Sequence, residues 1–459
     1  MLPRLLSLLL LSLLAACAAT PVLEAQKFPA PSNWPVSAEQ GESGVQAHWR
    51  QFFPDPQLQL LISTALENNR DLRIAAARVQ EARAQYGITK ADRLPSVALT
   101  GSGAFVTTPA DLVNPGSSST TERYDLGLSL LSYEVDFWGR LSGLDEAARY
   151  SFLATEDARK AVQLTLVADV ANAYFSYLQA GEVSDSARAT MGLRQQSLDL
   201  IGKGKDIGGA NELEVQLATG LMENARSSLD GANHQRNVAI NRLNFLLGNA
   251  LPSLLEGDSL SAQGLDVNIV PGLPSEVLLL RPDVMAAEQK LRASHANIAA
   301  ARAAFMPKIM LTAATGLASQ GLSGLFRGMA WAFQPAISLP IFDGGRLTAG
   351  VELAQARKVI AVAEYERTIQ QAFREVADLL SARIALSRQL KAAMANRYSQ
   401  GKLLEIANAR YAVGLVSYLD VLEAQREFVA SSQTIGQVRR AQLESATQLY
   451  KALGGGASV

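Results

Sequence analysis

The segment KDIGGANELEVQLA, with Gly208, Leu213, Glu214 and Val215, returns as YAVGLVSYLDVLEA, with Gly414, Leu419, Asp420 and Val421, at an offset of 206 residues. WGRL at 138–141 and GGRL at 344–347 share that offset, as do Leu243, Leu247 and Gly248 with Leu449, Leu453 and Gly454. Nearer each start, LPSVALTG from Leu94 and MPKIMLTA from Met306 pair at 212. Length alone would allow about three domains of ~150 residues. The repeated landmarks point instead to one structural unit used twice, over 55–250 and 281–454, joined by a linker at 251–280 and followed by a short tail at 455–459.

Ahead of the repeats, Arg4 precedes the apolar run Leu5–Leu14 and the small residues Ala15 and Ala16. A basic start, a short apolar core and a small-residue cut site form an export signal, and the run is too short for a spanning helix of about 20 residues. Residues 1–16 are therefore expected to be removed, leaving Cys17 first in a mature N-terminal segment of 17–54. Cys17 is the only cysteine, so no internal disulfide is available to it. Leu14-Ala15-Ala16-Cys17 resembles the lipobox of bacterial lipoproteins, which implies a covalent diacylglycerol and an N-acyl lipid on Cys17. The alternative is an ordinary secretory peptide with an incidental cysteine.

Within each half the hydrophobic period changes twice. Residues 56–93 read as a helix, with Leu58, Leu61, Ile62 and Leu66 on one face. Alternation then takes over: Val97, Leu99 and Phe105 face one way and Thr100 and Ser102 the other. After a polar loop, Tyr124, Leu126, Leu128 and Leu130 alternate with Asp125, Gly127 and Ser129. The second half repeats the hairpin with Ile309 and Leu311, then Trp331, Phe333, Ile337, Leu339 and Ile341 opposite Ala332, Gln334, Ala336 and Ser338. Strands are expected near 96–107, 123–137, 308–319 and 330–342.

Long proline-free stretches follow each hairpin, the first, 141–202, long enough for about 90 Å of helix. Leu164, Val167, Ala171, Tyr174 and Leu178 form a seam, with Val162, Leu166, Val170 and Phe175 beside it. Phe373, Ala377, Leu380 and Ile384 lie at +206 from Val167, Ala171, Tyr174 and Leu178. Two seams require two helical neighbours, which suits a wall of helices. Alternating strands suit a membrane barrel, and a barrel must close because unpaired edges are not tolerated in lipid. Four strands cannot close and about eight leave no lumen, so three chains with about twelve strands are expected. A soluble sheet covered on one face is the alternative.

Together these segments resemble the TolC-like outer-membrane efflux factors, in particular their NodT-type lipoprotein branch. The resemblance rests on HWRQFFPDPQLQLLISTALENNRDLRIAAARVQEARAQ at 48–85, YEVDFWGRL at 133, GLPSEVLLLRPDVMAAEQKLRASHANIAAARAAFMPKIMLT at 272, LPIFDGGRL at 339 and RYAVGLVSYLDVLEAQR at 410. It implies a mainly α fold with membrane β: a homotrimeric 12-stranded β-barrel in the outer membrane, continued by a long periplasmic α-helical barrel. It also implies a periplasmic adaptor protein and an inner-membrane transporter as partners, with export of small molecules such as drugs as the activity.

Gly208 and Gly414 fall between long helices, where a chain reversal is required, and the resemblance implies that these helix turns face the adaptor. By resemblance, Tyr411, Leu419, Asp420 and Glu423 map to the channel gate. Asp420 and Glu423 share one helix face, and threefold symmetry would make them rings of carboxylates that favour cations. Acids that complement a helix start are the competing reading, since Glu214 occupies the same place in the first repeat. Some relatives carry an arginine two residues past the turn glycine, whereas this chain has Val416.

Other chemistry is poorly represented. Basic and acidic residues number 42 and 43, so no basic field exists to attract nucleic acid. His48, His234 and His295 lack ligand spacing, and no nucleotide-loop, zinc-protease or nucleophile-elbow motif occurs, so neither metal, catalytic residues nor cofactor is expected. Arg281-Pro282-Asp283 reads as a helix start. The remaining alternatives are a protein-secretion duct or a structural lipoprotein stalk, and a stalk has no need of two lipid-suited hairpins.

Overall fold

A computed structural model describes residues 29–31, 34, 48–112, 120–250, 259–265 and 275–455. The signal segment 1–16 and Cys17 lie outside the described residues.

After a short helix α1 (Trp49–Phe52), the first half comprises α2 (Pro56–Asn68), α3 (Arg70–Ala91), β1 (Val97–Thr107), β2 (Thr120–Val135), α4 (Arg140–Asp206) and α5 (Glu212–Leu247). The second half comprises α6 (Pro282–Ala303), β3 (Lys308–Ser319), β4 (Met329–Ser338), α7 (Arg346–Ala412) and α8 (Tyr418–Ala452), with 3-10 turns at Ser275–Leu280 and Leu322–Arg327. The duplication is closest in two helix pairs: α3 and α6 are both 22 residues long, and α4 and α7 are both 67, whereas β2 has 16 residues and β4 only 10. Each long helix corresponds to roughly 100 Å at 1.5 Å per residue.

Local chemistry sets these bounds. The Asp136 carboxylate accepts from the Leu141 and Ser142 N–H groups at 3.0 and 2.7 Å, and Asp343 accepts from Gly345 and Leu347 at 3.0 and 2.8 Å. Each satisfies amides that the first turn of a long helix leaves open. β4 stops at Ser338, short of the expected 342, because Pro340 has no N–H to extend a ladder. β2 begins at Thr120, before the expected 123, and ends at Val135, where Asp136 turns away to cap α4.

Two expectations need correction. The helix read over 56–93 is two helices broken at extended Asn69, whose side chain accepts from the Leu72 N–H at 3.0 Å and donates to the Leu246 carbonyl at 2.9 Å. The α7 seam also differs. Ile369, Ala372, Val376 and Leu380 are buried, whereas Ile384 is 41% exposed and Phe373 stacks on Trp34 with ring centroids 4.8 Å apart. Ala372 and Val376 correspond to Leu166 and Val170, so this repeat buries the neighbouring line and lends part of the expected one to the N-terminal segment.

The chain forms two compact units whose boundaries fall inside α3, α4, α6 and α7 rather than between the repeats. One contains Arg78–Glu156 and Ala286–Tyr365, including the sheet; the other contains Phe28–Ala77, Asp157–Met285 and Glu366–Val459. In the sheet-bearing unit, Arg93 pairs with Asp145 at 2.7 Å and the Trp138 indole N–H donates to the Pro307 carbonyl at 2.8 Å. In the second unit, the Asp55 carboxylate caps α2 through Gln57 N–H at 2.7 Å and also accepts from Tyr174 at 2.9 Å and Gln263 at 2.7 Å. Residues 259–265 of the 251–280 linker are therefore anchored, with Leu260, Gln263 and Leu265 buried, whereas Leu279 and Leu280 at its end are exposed.

Arg281, immediately before α6, occupies the place of Asn69 before α3. It donates to the Ala452 carbonyl at 3.0 Å, as Asn69 does to Leu246, and pairs with Asp283 at 2.7 Å and Glu375 at 3.0 Å. Burial pushes the Asp283 carboxyl up, but the hydrogen bonds and charge of Arg281 outweigh it and hold the group below its ordinary range. Removing Arg281 strands a buried carbonyl and two carboxylates that remain partly solvated, so Arg281→Met should lower stability by about 3 kcal/mol, measured by urea unfolding in detergent. The Asp283 contribution is complete above its unfolded pKa of about 3.9 and is lost as pH falls through the lower folded value. Asp283→Asn should accordingly flatten the acid limb of the stability curve below about pH 4.

Candidate functional site

The four strands form one antiparallel sheet in the order β1-β2-β3-β4. Residues directly opposite on a ladder share a face, so the register assigns both faces. One carries rows such as Val97–Leu130–Ala313–Phe333, Leu99–Leu128–Thr315–Trp331 and Val135–Ile309–Ile337. The other carries Thr100, Ser102, Arg123, Asp125, Ser129, Glu134, Thr312 and Gln334. Arg123 and Asp125 are bridged at 2.8 Å on this polar face, and Glu134 is held by Arg140 through two bonds of 2.7 and 2.8 Å. The edge strands are open: β1 is exposed along its whole length and Trp331 on β4 is 79% exposed, whereas Ser129 in the middle of the polar face is buried. Phe105 and Tyr124 meet edge to face, 5.6 Å apart, at the loop end of the apolar side.

A bulge between Leu130 and Tyr133 keeps this segregation. The register passes from Leu130↔Ala313 to Tyr133↔Leu311, inserting one residue, and Ser132 takes φ 52°. Without the insertion Glu134 would point to the apolar side; with it, Tyr133 and Val135 do so. Sequence alternation alone misses this, although SYE after LSL is a visible break of period. It also misses the pairing of Gly127 with Gly316, where the strands approach so closely that a Cβ on Gly127 would lie 2.8 Å from the Gly316 Cα.

The second unit holds the two helix turns. Gly208 and Gly414 have φ of 76° and 75°, a left-handed conformation that glycine adopts without steric penalty. Both close α4 and α7 with the same pair of bonds, Gly208 N–H to Lys205 O at 3.0 Å with Gly209 to Gly204 at 2.7 Å, and Gly414 to Tyr411 at 2.9 Å with Leu415 to Arg410 at 2.9 Å. Three residues beyond each turn glycine a cap opens the return helix. Asn211 and Glu214 exchange bonds of 3.0 and 2.8 Å, and the Asp420 carboxylate accepts from Ser417 N–H and Oγ at 2.9 and 2.7 Å.

Tyr411 and Leu419 line a cleft of about 460 Å³ that includes Leu200, Leu217 and Leu422; Asp420 and Glu423 are not among its lining residues. The hydroxyl and then the backbone N–H of Ser417 hold Asp420 below the usual carboxylate range. Glu423 is paired with Arg426, which offsets part of its charge. Ser197 and Tyr418 share a hydrogen bond of 2.6 Å, and Arg194 donates to Gln425 at 3.2 Å, so both join α4 to α8 near the turns. Nothing in the spacing of Arg194 and Ser197 marks them, because their partners lie more than 220 residues away. Among the described residues no group of His, Cys, Asp and Glu is placed to hold a metal ion, and no helix is long and apolar enough to cross a membrane.

The family model described as outer membrane efflux protein matches residues 61–249 and 273–455. The chain belongs to the outer membrane efflux protein family. Among its relatives, the antibiotic efflux pump outer membrane protein ArpC of Pseudomonas putida is 40% identical over 97% of this chain and 93% of its own. The cation efflux system protein CusC of Escherichia coli is 41% identical over 96% of each. Among solved structures, the CusC channel covers 96% of this chain and 100% of its own with a TM-score of 0.85 at 39% identity. The open state of the MtrE outer membrane channel of Neisseria gonorrhoeae covers 96% and 99% with a TM-score of 0.87 at 33% identity. The mainly helical fold with its small sheet is therefore the fold of outer-membrane efflux channels, and the protein is a non-enzymatic transport duct.

In this fold the Gly127–Gly316 contact has no room for a side chain, since a Cβ on Gly316 would also meet the Leu126 carbonyl. Gly316→Val should abolish the protease-resistant form of the membrane-extracted sheet, whereas the same change at Gly350, which has open space around it, should leave it intact.

Proposed function

We propose that three copies of this chain close into one barrel and form the outer-membrane exit duct of a tripartite efflux system, with a periplasmic adaptor protein and an inner-membrane transporter supplying contact and energy. The observation that carries this reading is the sheet. It has one apolar and one polar face, and its edge strands β1 and β4 run in opposite directions, so β4 of one copy is suited to continue antiparallel into β1 of the next. Twelve strands enclose a lumen lined by the polar face, and every edge is then paired.

Small molecules are the proposed cargo. Relatives of nearly equal identity are named for antibiotic, toluene and cation efflux, which fits a duct that passes what its pump selects. A covalent diacylglycerol and N-acyl lipid at Cys17 would add a second hold on the outer membrane, each buried methylene contributing about 0.8 kcal/mol. Tyr411, Leu419, Asp420 and Glu423 are proposed to line the gate, with Gly208 and Gly414 placing the turns toward the adaptor. Because Asp420 also caps α8, its ring would be fixed in position rather than mobile.

Native mass spectrometry of the protein extracted in detergent should give three chains, each starting at an acylated Cys17. Cys17→Ala should remove the lipid increment without dissolving the trimer; a single unlipidated chain would overturn both parts. In planar bilayers, Asp420→Ala with Glu423→Ala should raise single-channel conductance and reduce cation preference, and unchanged values would count against the gate.

A further inference from the structure

Much of the polar face of the sheet is made of small side chains, Ala98, Gly127, Ala314, Ala332 and Ala336 among them, so any charge on it stands out. The charged residues of the four strands are Glu122, Arg123, Asp125, Glu134 and Lys308. Glu122 stands opposite Phe105 and so belongs to the apolar side, at its loop end.

On the polar face, Arg123 and Asp125 bridge each other at 2.8 Å, and Glu134 is held by Arg140 at 2.7 Å. Lys308 is the exception. The register sets it opposite Ser338, on the same side of β3 as Met310 and Thr312, so it opens the polar face at the helix end. It is exposed, and among the described residues no carboxylate forms an ion pair with it. Asp136, one residue beyond the Val135–Ile309 row, is engaged by the Leu141 and Ser142 N–H groups instead. The two pairs cancel, which leaves the Lys308 ammonium as the uncompensated charge of this face.

Distance decides whether that charge is felt. Twelve strands about 4.8 Å apart and tilted by about 40° make a wall of roughly 12 Å radius. The four-carbon stem of lysine carries its charge inward from that wall, past neighbours no longer than alanine or serine. The axis then lies within reach of the ammonium groups, since screening sets in only over about 8 Å at physiological ionic strength.

We infer that Lys308 is a specificity-determining residue of the duct: three copies of it form a ring of ammonium groups at the helix end of the barrel lumen, drawing small anions and anionic cargo such as carboxylates and sulfonates through that section. The inference rests on the closed-barrel reading with the polar face inward, and its test separates the two. The ring is opposite in sign to the carboxylates proposed for the gate, so neither alone sets the ion preference of the duct.

The full-length protein is reconstituted in planar bilayers, and the chloride-to-potassium permeability ratio is read from the reversal potential in a potassium chloride gradient. Lys308→Gln should lower the ratio about twofold or more, and Lys308→Arg should retain it. Ser102→Cys, treated with a methanethiosulfonate that carries a trimethylammonium group, reports on the lumen itself, because Ser102 stands on the same face opposite Asp125. Its single-channel conductance should fall, against the unsubstituted protein treated alike. An unchanged ratio in Lys308→Gln with a responding Ser102→Cys would overturn the lysine ring and leave the barrel standing; no response from either would overturn the barrel as well. If Lys308→Gln fails to assemble, Lys308→Cys gives a second reading, since the same reagent puts a positive charge back in an open channel. A ratio that does not rise on that modification, with Ser102→Cys responding, also overturns the ring.

Discussion

A backbone N–H or C=O group in hydrocarbon has no water to bond, and each one left open costs several kcal/mol. The four-stranded sheet presents that problem twice, along the free side of β1 and along the free side of β4. Its apolar face is suited to lipid, yet the strand edges are intolerable there. Closure with other copies resolves the conflict, and the opposite directions of the two edge strands allow it without a change of pairing type.

The same concern with open backbone groups recurs throughout the helical parts. Each repeat terminates its long helix with a left-handed glycine and a paired set of backbone bonds, then starts the return helix with an acid three residues inside the cap. Each also uses the residue before its proximal helix to hold the last carbonyls of the return helix, through an amide in one case and a guanidinium in the other. The duplication has thus preserved backbone solutions while the side chains supplying them changed. Asp420 illustrates the consequence: the carboxylate proposed to line the gate is first of all a helix cap, so its position is set by local backbone geometry.

Much of the organisation was legible because it is periodic. The 206-residue offset, alternation in the strands and the lack of proline in α4 and α7 are local signals, and they located the four strands and the two long helices. The break at Asn69 was not legible, since its amide answers a carbonyl 177 residues away. The shift of the buried line on α7 was equally hidden: Phe373 is covered by Trp34, and a helix seam read in isolation contains no information about a distant segment. Ser197 and Arg194 near the turns belong to the same class, their roles being defined by Tyr418 and Gln425.

By itself the sequence determined the repeat, the element types, the turn glycines and the apolar side of each strand, because these follow from spacing along one chain and from the conformational freedom of single residues. Only the tertiary structure decided the strand register, the bulge that carries Glu134 across to Arg140, and the Gly127–Gly316 contact. It also decided which partner each buried polar group would find. Those depend on distances between backbones brought together from remote positions, and no period in the sequence encodes a distance of that kind.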